Sequence, residues 1–256
     1  MNSCIWCKQE VTKNSLEHII PEALGCPDTF ILNNYEICNS CNNRFGNIDH
    51  ALINAFDFFA FMSGVPRKNG KSPVISNKGN FYAHYVDGKP ELHINMNRNI
   101  APTNKGIKLG KFGKSLRNVK GEFESNEDTW KVNLNFEFGD DPKLVRALYK
   151  IGLEALVFFL GKEIVETNKF DTIRDFVLSG KGDRKVIQKL TGKIKYRNEA
   201  YSPYIKEGVG YGVCVRIAFV EFFIDLTENQ SLLPELEKEF KKQYGEKGWG
   251  VFPVKV

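Results

Sequence analysis

The sequence lacks a long apolar run, so a membrane-spanning helix is not expected. Its most apolar stretch, from Leu153 to Leu160, is shorter than the roughly 20 residues that a span needs, and it contains Glu154. The chain does not open with a basic segment followed by an apolar one, so we expect no secretory signal. Hydrophobic residues make up 42% and charged residues 26% of the chain, which is typical of a globular protein. Together these features predict a cytoplasmic protein with no membrane partner.

Cysteine is also scarce, with six among 256 residues. In a cytoplasmic protein, cysteines serve as metal ligands or free thiols more often than as disulfides. Four of the six form two Cys-x-x-Cys pairs, Cys4 with Cys7 and Cys38 with Cys41. Each pair offers two sulfurs to one zinc ion, and two pairs complete the tetrahedral set that zinc prefers. We therefore predict a closed, structural zinc site; a redox role fits less well, because a redox pair stands alone near a βαβ pattern.

Acidic residues are nearly missing from residues 63–120, which hold two Asp or Glu against twelve Lys or Arg. Residues 1–62 show the reverse balance, with seven acidic and three basic residues. A dense basic stretch is typical of a surface that binds a polyanion. We predict that six regularly spaced cations contact nucleic acid: Lys105, Lys108, Lys111, Lys114, Arg117 and Lys120. A merely solvated surface is the alternative, because a three-residue spacing does not keep one face of a strand.

The breaker Ser63-Gly64-Val65-Pro66 divides the chain into two predicted domains. Residues 1–62 predict a zinc-stapled ββα module, with strands near 16–20 and 31–37 and a helix from about residue 38 to 62. Residues 63–256 predict a mixed α+β domain whose basic start, 63–140, is rich in β-structure and serves in substrate binding or regulation. Its clearest predicted elements are a hairpin across Asp87-Gly88, a strand over 130–138, helices beginning at Asp141-Pro142, 170 and 233, and strands within 210–226.

Polar residues beside the zinc cysteines have the chemistry of a hydrolytic site. Glu17 and His18 stand together shortly before Pro21, and Asn42 follows Cys41 directly. Histidine can take a proton from water near neutral pH. Carboxylate and amide oxygens suit magnesium or manganese. Each of these residues alone could instead be structural, as a satisfied histidine or a helix-start asparagine.

In combination, the motifs resemble the HNH endonuclease family in its zinc-stapled ββα-metal form. The pattern is Cys-x-x-Cys, then Glu-His-Ile-Ile-Pro-Glu-Ala-Leu-Gly, then Asn-x-x-x-x-Cys-x-x-Cys-Asn. The resemblance implies that His18 is the general base and that Asn33 orients its loop. It also implies that Glu17 and Asn42 hold the catalytic metal ion. Glu17 replaces the usual Asp, and Asn42 replaces a residue that is often His, which favours a hard metal ion over zinc at this second site.

Two later residues of the predicted helix, Asp49 and His50, could share the face of Asn42. Either could add a metal ligand or support one. A solvated helix face is the simpler interpretation.

The resemblance implies a metal-dependent endonuclease that hydrolyses DNA, with structural Zn²⁺ and catalytic Mg²⁺ or Mn²⁺. Restriction, phage defence or recombination would be its setting. Three alternatives stay open: a zinc-dependent nucleic-acid-binding protein without cleavage, a ribonuclease, and a nuclease effector switched by a ligand of the C-terminal domain. DNA is the expected partner and RNA an alternative one. The oligomeric state is not indicated, and a homodimer stays open.

Overall fold

The computed structural model of the protein describes residues 2–66, 70–71, 74–75, 81–94, 107–108, 119–126, 129–136, 141–191, 198–200, 204–206 and 210–252. Helices and antiparallel sheets alternate along these residues, which confirms the predicted α+β class. The helices are α1 (Asn39–Met62), α2 (Pro142–Leu160), α3 (Asp171–Ser179) and α4 (Leu233–Tyr244). The strands are β1 (Glu17–His18), β2 (Ile31–Leu32), β3 (Val74–Ile75), β4 (Phe81–Val86), β5 (Lys89–Ile94), β6 (Ile107–Lys108), β7 (Val119–Asn126), β8 (Thr129–Phe136), β9 (Val186–Leu190), β10 (Glu199–Ala200), β11 (Tyr204–Lys206), β12 (Gly210–Ile217), β13 (Val220–Asp225) and β14 (Trp249–Phe252).

The chain divides into two compact units. The larger contains residues 1–52 and 141–256, and the smaller contains residues 53–140. In the larger unit, the N-terminal cysteine segment folds together with the C-terminal helices and sheet. The predicted domain boundary after residue 62 stays a prediction. None of the described helices is both long and apolar enough to cross a membrane.

The N-terminal segment contains the predicted ββα elements with shorter strands. β1 pairs antiparallel with β2, so that Glu17 lies opposite Leu32 and His18 opposite Ile31. The sequence predicts that the second strand reaches residue 37, but β2 ends at Leu32. The chain turns there, with Tyr35 in the left-handed region at φ 60°, and such a turn cannot continue a ladder.

Helix α2 forms the centre of the larger unit. The Asp141 side chain accepts a hydrogen bond from the Lys143 backbone N–H at 2.9 Å, and Pro142 occupies the first turn, as the sequence predicts. The helix is buried almost continuously from Leu144 to Val157 and packs on β12 and β13. Gly152 permits this close approach, because a Cβ atom at that position would lie 2.9 Å from Ile224 Cγ2.

The large sheet has the order β10-β12-β13-β9-β14. A further strand, β11, pairs with the first three residues of β12. The predicted helix α4 packs against β9 through a small apolar cluster that includes Ile187, Leu233 and Phe240. Asp225, at the end of β13, is fully buried. Its carboxylate accepts hydrogen bonds from the backbone N–H groups of Leu232 and Leu233 at 2.8 and 2.9 Å, which caps the start of α4.

The smaller unit contains two three-stranded antiparallel sheets, β3-β4-β5 and β6-β7-β8. The predicted Asp87-Gly88 turn joins β4 to β5, and both residues have the positive φ that a tight hairpin requires. Of the six predicted nucleic-acid contacts, Lys108 lies in β6 and Lys120 in β7. The other four lie outside the described residues: Lys105, Lys111, Lys114 and Arg117.

Candidate functional site

The two Cys-x-x-Cys pairs form one compact cluster. The sulfur atoms of Cys4, Cys7, Cys38 and Cys41 all lie within 4.8 Å of one another. The Cys7 and Cys38 sulfurs are 3.7 Å apart, close to the value of about 3.8 Å that follows from tetrahedral Zn–S bonds of about 2.3 Å. The backbone N–H of Cys38 donates to the Cys4 sulfur at 3.4 Å. Four thiolate donors in this arrangement fit a closed zinc site.

The thiols within the cluster already differ in acidity. The Cys41 side chain hydrogen-bonds to Cys4, which lowers the pKa of Cys4 well below its ordinary value. The same contact raises the pKa of Cys41. The cluster therefore favours one thiolate among neighbouring thiols, and a bound cation would favour the remaining thiolates.

The short strand β1 directs Glu17 and His18 to opposite sides, as alternation along a strand requires. Glu17 faces the interior and is 5% exposed. His18, on the other side, is half-buried. The extended segment ends at Pro21, and a short 3-10 helix over Glu22–Leu24 follows.

Asn42 ties the first turn of α1 to the segment that enters β1. Its amide nitrogen donates to Ser15 Oγ at 2.6 Å and to the Leu16 carbonyl at 3.1 Å. These contacts use the nitrogen, and the other amide atom, Oδ1, has the chemistry of a ligand for a hard metal ion. Asn33 follows β2 and is exposed, and its backbone carbonyl accepts a hydrogen bond from the Asn14 side chain. The role predicted for Asn33 stays a prediction.

Residues 4–57 match the family model described as HNH endonuclease. The chain carries an N-terminal HNH domain. This match confirms the resemblance that the cysteine, Glu-His and Asn motifs indicate. No match was found among curated proteins or among solved structures.

Lys150, in the middle of α2, contacts the HNH domain although the sequence motifs did not indicate it. Lys150 is fully buried. Its ammonium group donates to Glu17 Oε1 and, at 3.1 Å, to Asp49 Oδ1. Glu154, one turn later on α2, lies 3.6 Å away through Oε2. One cation thus faces three carboxyl groups, from β1, from α1 and from its own helix.

Burial and charge act in opposite directions in this cluster. Burial alone would lower the pKa of Lys150, but the carboxylates of Glu154, Asp49 and Glu17 outweigh it and raise that pKa. Burial raises the pKa of Glu17, and the neighbouring Lys150 counteracts part of the effect. Burial also raises the pKa of Glu154 well above its ordinary value. The facing carboxyl groups therefore favour the charged form of Lys150, whereas burial disfavours the charged forms of Glu17 and Glu154.

The same cluster joins the zinc knuckle to the Glu-His strand. Trp6, between the first two cysteines, donates its indole N–H to Glu154 Oε1 at 3.1 Å. Its ring also packs edge-on against Phe45 of α1, with centroids 5.1 Å apart. A continuous set of contacts therefore leads from the knuckle through Glu154 and Lys150 to Glu17.

The predicted site residues end in three different environments. The four cysteines converge, Glu17 turns inward to Lys150, and His18 and Asn42 are each partly exposed. Of the two further candidate residues on α1, Asp49 contacts Lys150, whereas His50 is exposed. Among the described residues, the cysteines are the one group of at least three His, Cys, Asp or Glu side chains close enough to hold an ion. A lysine four residues before a glutamate, both within the otherwise apolar stretch 147–159, is the one local sequence signal of the buried cluster, and it does not identify the partners on β1 and α1.

Proposed function

We propose that the protein is a metal-dependent endonuclease that hydrolyses DNA phosphodiester bonds at its HNH domain. The observation that carries the proposal is the match of residues 4–57 to HNH endonuclease, combined with a half-buried His18 at the end of its first strand. The four cysteines support the role of a zinc staple that fixes the start of α1. The chemistry rests on the residues between and after them.

His18 is the proposed general base. It takes a proton from the water that attacks phosphorus, and its partial exposure leaves the imidazole accessible to water. Glu17 lies on the opposite side of the same strand and holds the strand to the interior through its contact with Lys150. Asn33 is the proposed orienting residue for the His18 loop.

Asn42 and Glu17 are the proposed holders of a divalent ion. Asn42 Oδ1 and the second carboxylate oxygen of Glu17 are hard ligands, and Mg²⁺ commonly uses only one or two protein oxygens besides water. When bound, Mg²⁺ or Mn²⁺ supplies positive charge that stabilises the phosphate and the departing 3′ oxygen. Because Glu17 already contacts Lys150, Asn42 is the more accessible of the two.

The basic segment is the proposed source of affinity for the phosphate backbone. Residues 63–120 carry twelve Lys or Arg against two Asp or Glu, whereas residues 1–62 are acidic. Contacts of this type neutralise phosphates and do not read sequence. A cytoplasmic location and a role in restriction, phage defence or recombination stay predictions of the sequence.

A cleavage panel tests the proposal. The zinc-loaded wild type is incubated with supercoiled plasmid, modified phage DNA, branched DNA and RNA, with Mg²⁺, with Mn²⁺ and with EDTA. We expect metal-dependent nicking of at least one DNA. Cleavage of RNA alone would establish the ribonuclease alternative, and binding without cleavage of any substrate would establish the non-enzymatic one. Activity that requires cell extract would indicate a ligand-switched effector.

A further inference from the structure

The buried lysine of α2 belongs to a part of the chain outside the HNH match, yet it contacts the HNH domain at its Glu-His strand. Lys150 is separated from Glu17 by 133 residues along the chain. It is fully buried, and a buried lysine is rare unless acidic partners surround it. Its partners here are Glu17, Asp49 and Glu154. The face of the Phe45 ring, 5.4 Å from the ammonium nitrogen, adds a favourable cation contact from α1.

These contacts restrict the position of β1. The strand contains only Glu17 and His18, and two residues of ladder with β2 give it little rigidity. Lys150 holds the Glu17 side chain at its far end. Because successive side chains of a strand point in opposite directions, the direction of Glu17 also sets the direction in which His18 leaves the strand.

We propose that Lys150 is a positioning residue of the nuclease site, which fixes Glu17 and thereby the direction of the His18 imidazole. This inference rests on the proposed function for its kinetic consequence. Lys150 is 0% exposed and does not reach substrate. Its effect should therefore fall on turnover and not on the binding of nucleic acid.

The inference also assigns a role to the C-terminal segment. Besides Lys150, this segment supplies Arg174, whose Nε donates to the Ile5 carbonyl in the zinc knuckle at 2.6 Å. It also supplies the buried Asn198, whose amide donates to the carbonyl of Leu24, just after the Glu-His turn. The residues that hold the HNH domain in place therefore come from far along the chain.

The test compares Lys150→Met with Lys143→Met in the full-length, zinc-loaded protein. Met has a similar length and no charge, and Lys143 is an exposed residue of the same helix. Three quantities are measured: zinc content, kcat and KM for plasmid nicking, and the NMR signal of the His18 ring at one fixed pH. The chain has four histidines, so the His18 signal is identified by its loss in His18→Ala.

For Lys150→Met we expect retained zinc, a kcat lower by roughly 10- to 100-fold, and a KM within about twofold of wild type, as for other residues that orient a site. We also expect a displaced His18 signal, whereas Lys143→Met should match the wild type in all three measurements. A folded Lys150→Met protein with wild-type kcat and an unmoved His18 signal would overturn the proposal.

A second variant covers the case in which the single substitution does not fold. Glu17→Gln/Lys150→Met removes the lysine together with the carboxylate closest to it, so fewer buried charges are left unpaired than in the single variant. We expect this variant to keep zinc and to show the displaced His18 signal. A wild-type His18 signal and a wild-type kcat in this double variant would overturn the proposal. Loss of the fold in both variants would also overturn it, because Lys150 would then be needed for folding itself. If the wild type cleaves no nucleic acid, the proposed function fails. The NMR signal of His18 would still show whether Lys150 sets the direction of the His18 ring.

Discussion

Two glycine-to-alanine substitutions in two helices should change stability in opposite directions. In α2, a Cβ atom on Gly152 would lie 2.9 Å from Ile224 Cγ2 and 3.2 Å from its Cδ1. Ile224 is 1% exposed, so its side chain has little room to move. In α1, Gly46 is exposed, and apart from its chain neighbours and the backbone of its own helix, no described atom lies within 4 Å of the position that its Cβ would take.

Two free-energy contributions decide whether each substitution stabilises or destabilises the protein. Replacing glycine by alanine within a helix stabilises by about 1 kcal/mol. Overpacking a buried contact costs about 1–3 kcal/mol. Gly46→Ala gains only the first effect and should stabilise the protein by about 0.5–1 kcal/mol. Gly152→Ala combines both effects and should destabilise it by about 1 kcal/mol.

Urea denaturation of both variants, followed by tryptophan fluorescence at fixed zinc concentration, measures the difference. The midpoint should rise for Gly46→Ala and fall for Gly152→Ala, with unchanged m-values. A Gly152→Ala protein that is as stable as Gly46→Ala would refute the close contact between α2 and β13. Because Lys150 lies two residues before Gly152, a displaced α2 should also move its ammonium group.

Three further predictions concern the metal sites and the cap of α4. Asn42→Ala should lower the nicking rate and raise the Mg²⁺ concentration needed for half-maximal activity. Asn43→Ala, at the exposed neighbouring residue, should leave both quantities unchanged. The same Mg²⁺ requirement in Asn42→Ala and wild type would contradict a ligand role for Asn42. Cys41→Ser should reduce bound zinc from the expected one ion per chain to less than half an ion per chain and should expose the knuckle to protease. The reason is that structural zinc contributes on the order of 10 kcal/mol to the stability of such sites. Full zinc content, measured by mass spectrometry, would contradict this prediction. Asp225→Ala should lower the free energy of unfolding by about 2–4 kcal/mol, measured by urea denaturation, since four hydrogen bonds to a buried carboxylate are lost. A decrease of less than about 1 kcal/mol would contradict the role of Asp225 as the cap of α4.

Elements with strong local signals could be predicted from the sequence. Helix α4 has the predicted bounds, Leu233–Tyr244, because its amphipathic pattern, its proline at the start and Gly245 after its end all agree. The hairpin turn at Asp87-Gly88 follows from residues that accept positive φ. The cysteine cluster was equally predictable, because zinc needs four ligands and the spacing supplies two per turn.

The buried cluster around Lys150 could not be predicted in the same way. Its partners come from β1, α1 and α2, and only tertiary packing brings them together. A lysine inside an apolar helix and a glutamate before a histidine each have several possible roles when only local sequence is considered. The inward direction of Glu17 is therefore the feature of the HNH domain that the family motif by itself does not indicate.

The most direct test of a catalytic HNH domain is the rate at which saturating protein nicks a plasmid under single-turnover conditions, for wild type and His18→Ala in Mg²⁺. The matched control is His50→Ala, an exposed histidine of α1. We expect His18→Ala to bind plasmid and zinc as the wild type does and to nick about 10²- to 10⁴-fold more slowly, because it lacks the proposed general base. We expect His50→Ala to keep the wild-type rate. A His18→Ala protein that nicks at the wild-type rate would contradict the account.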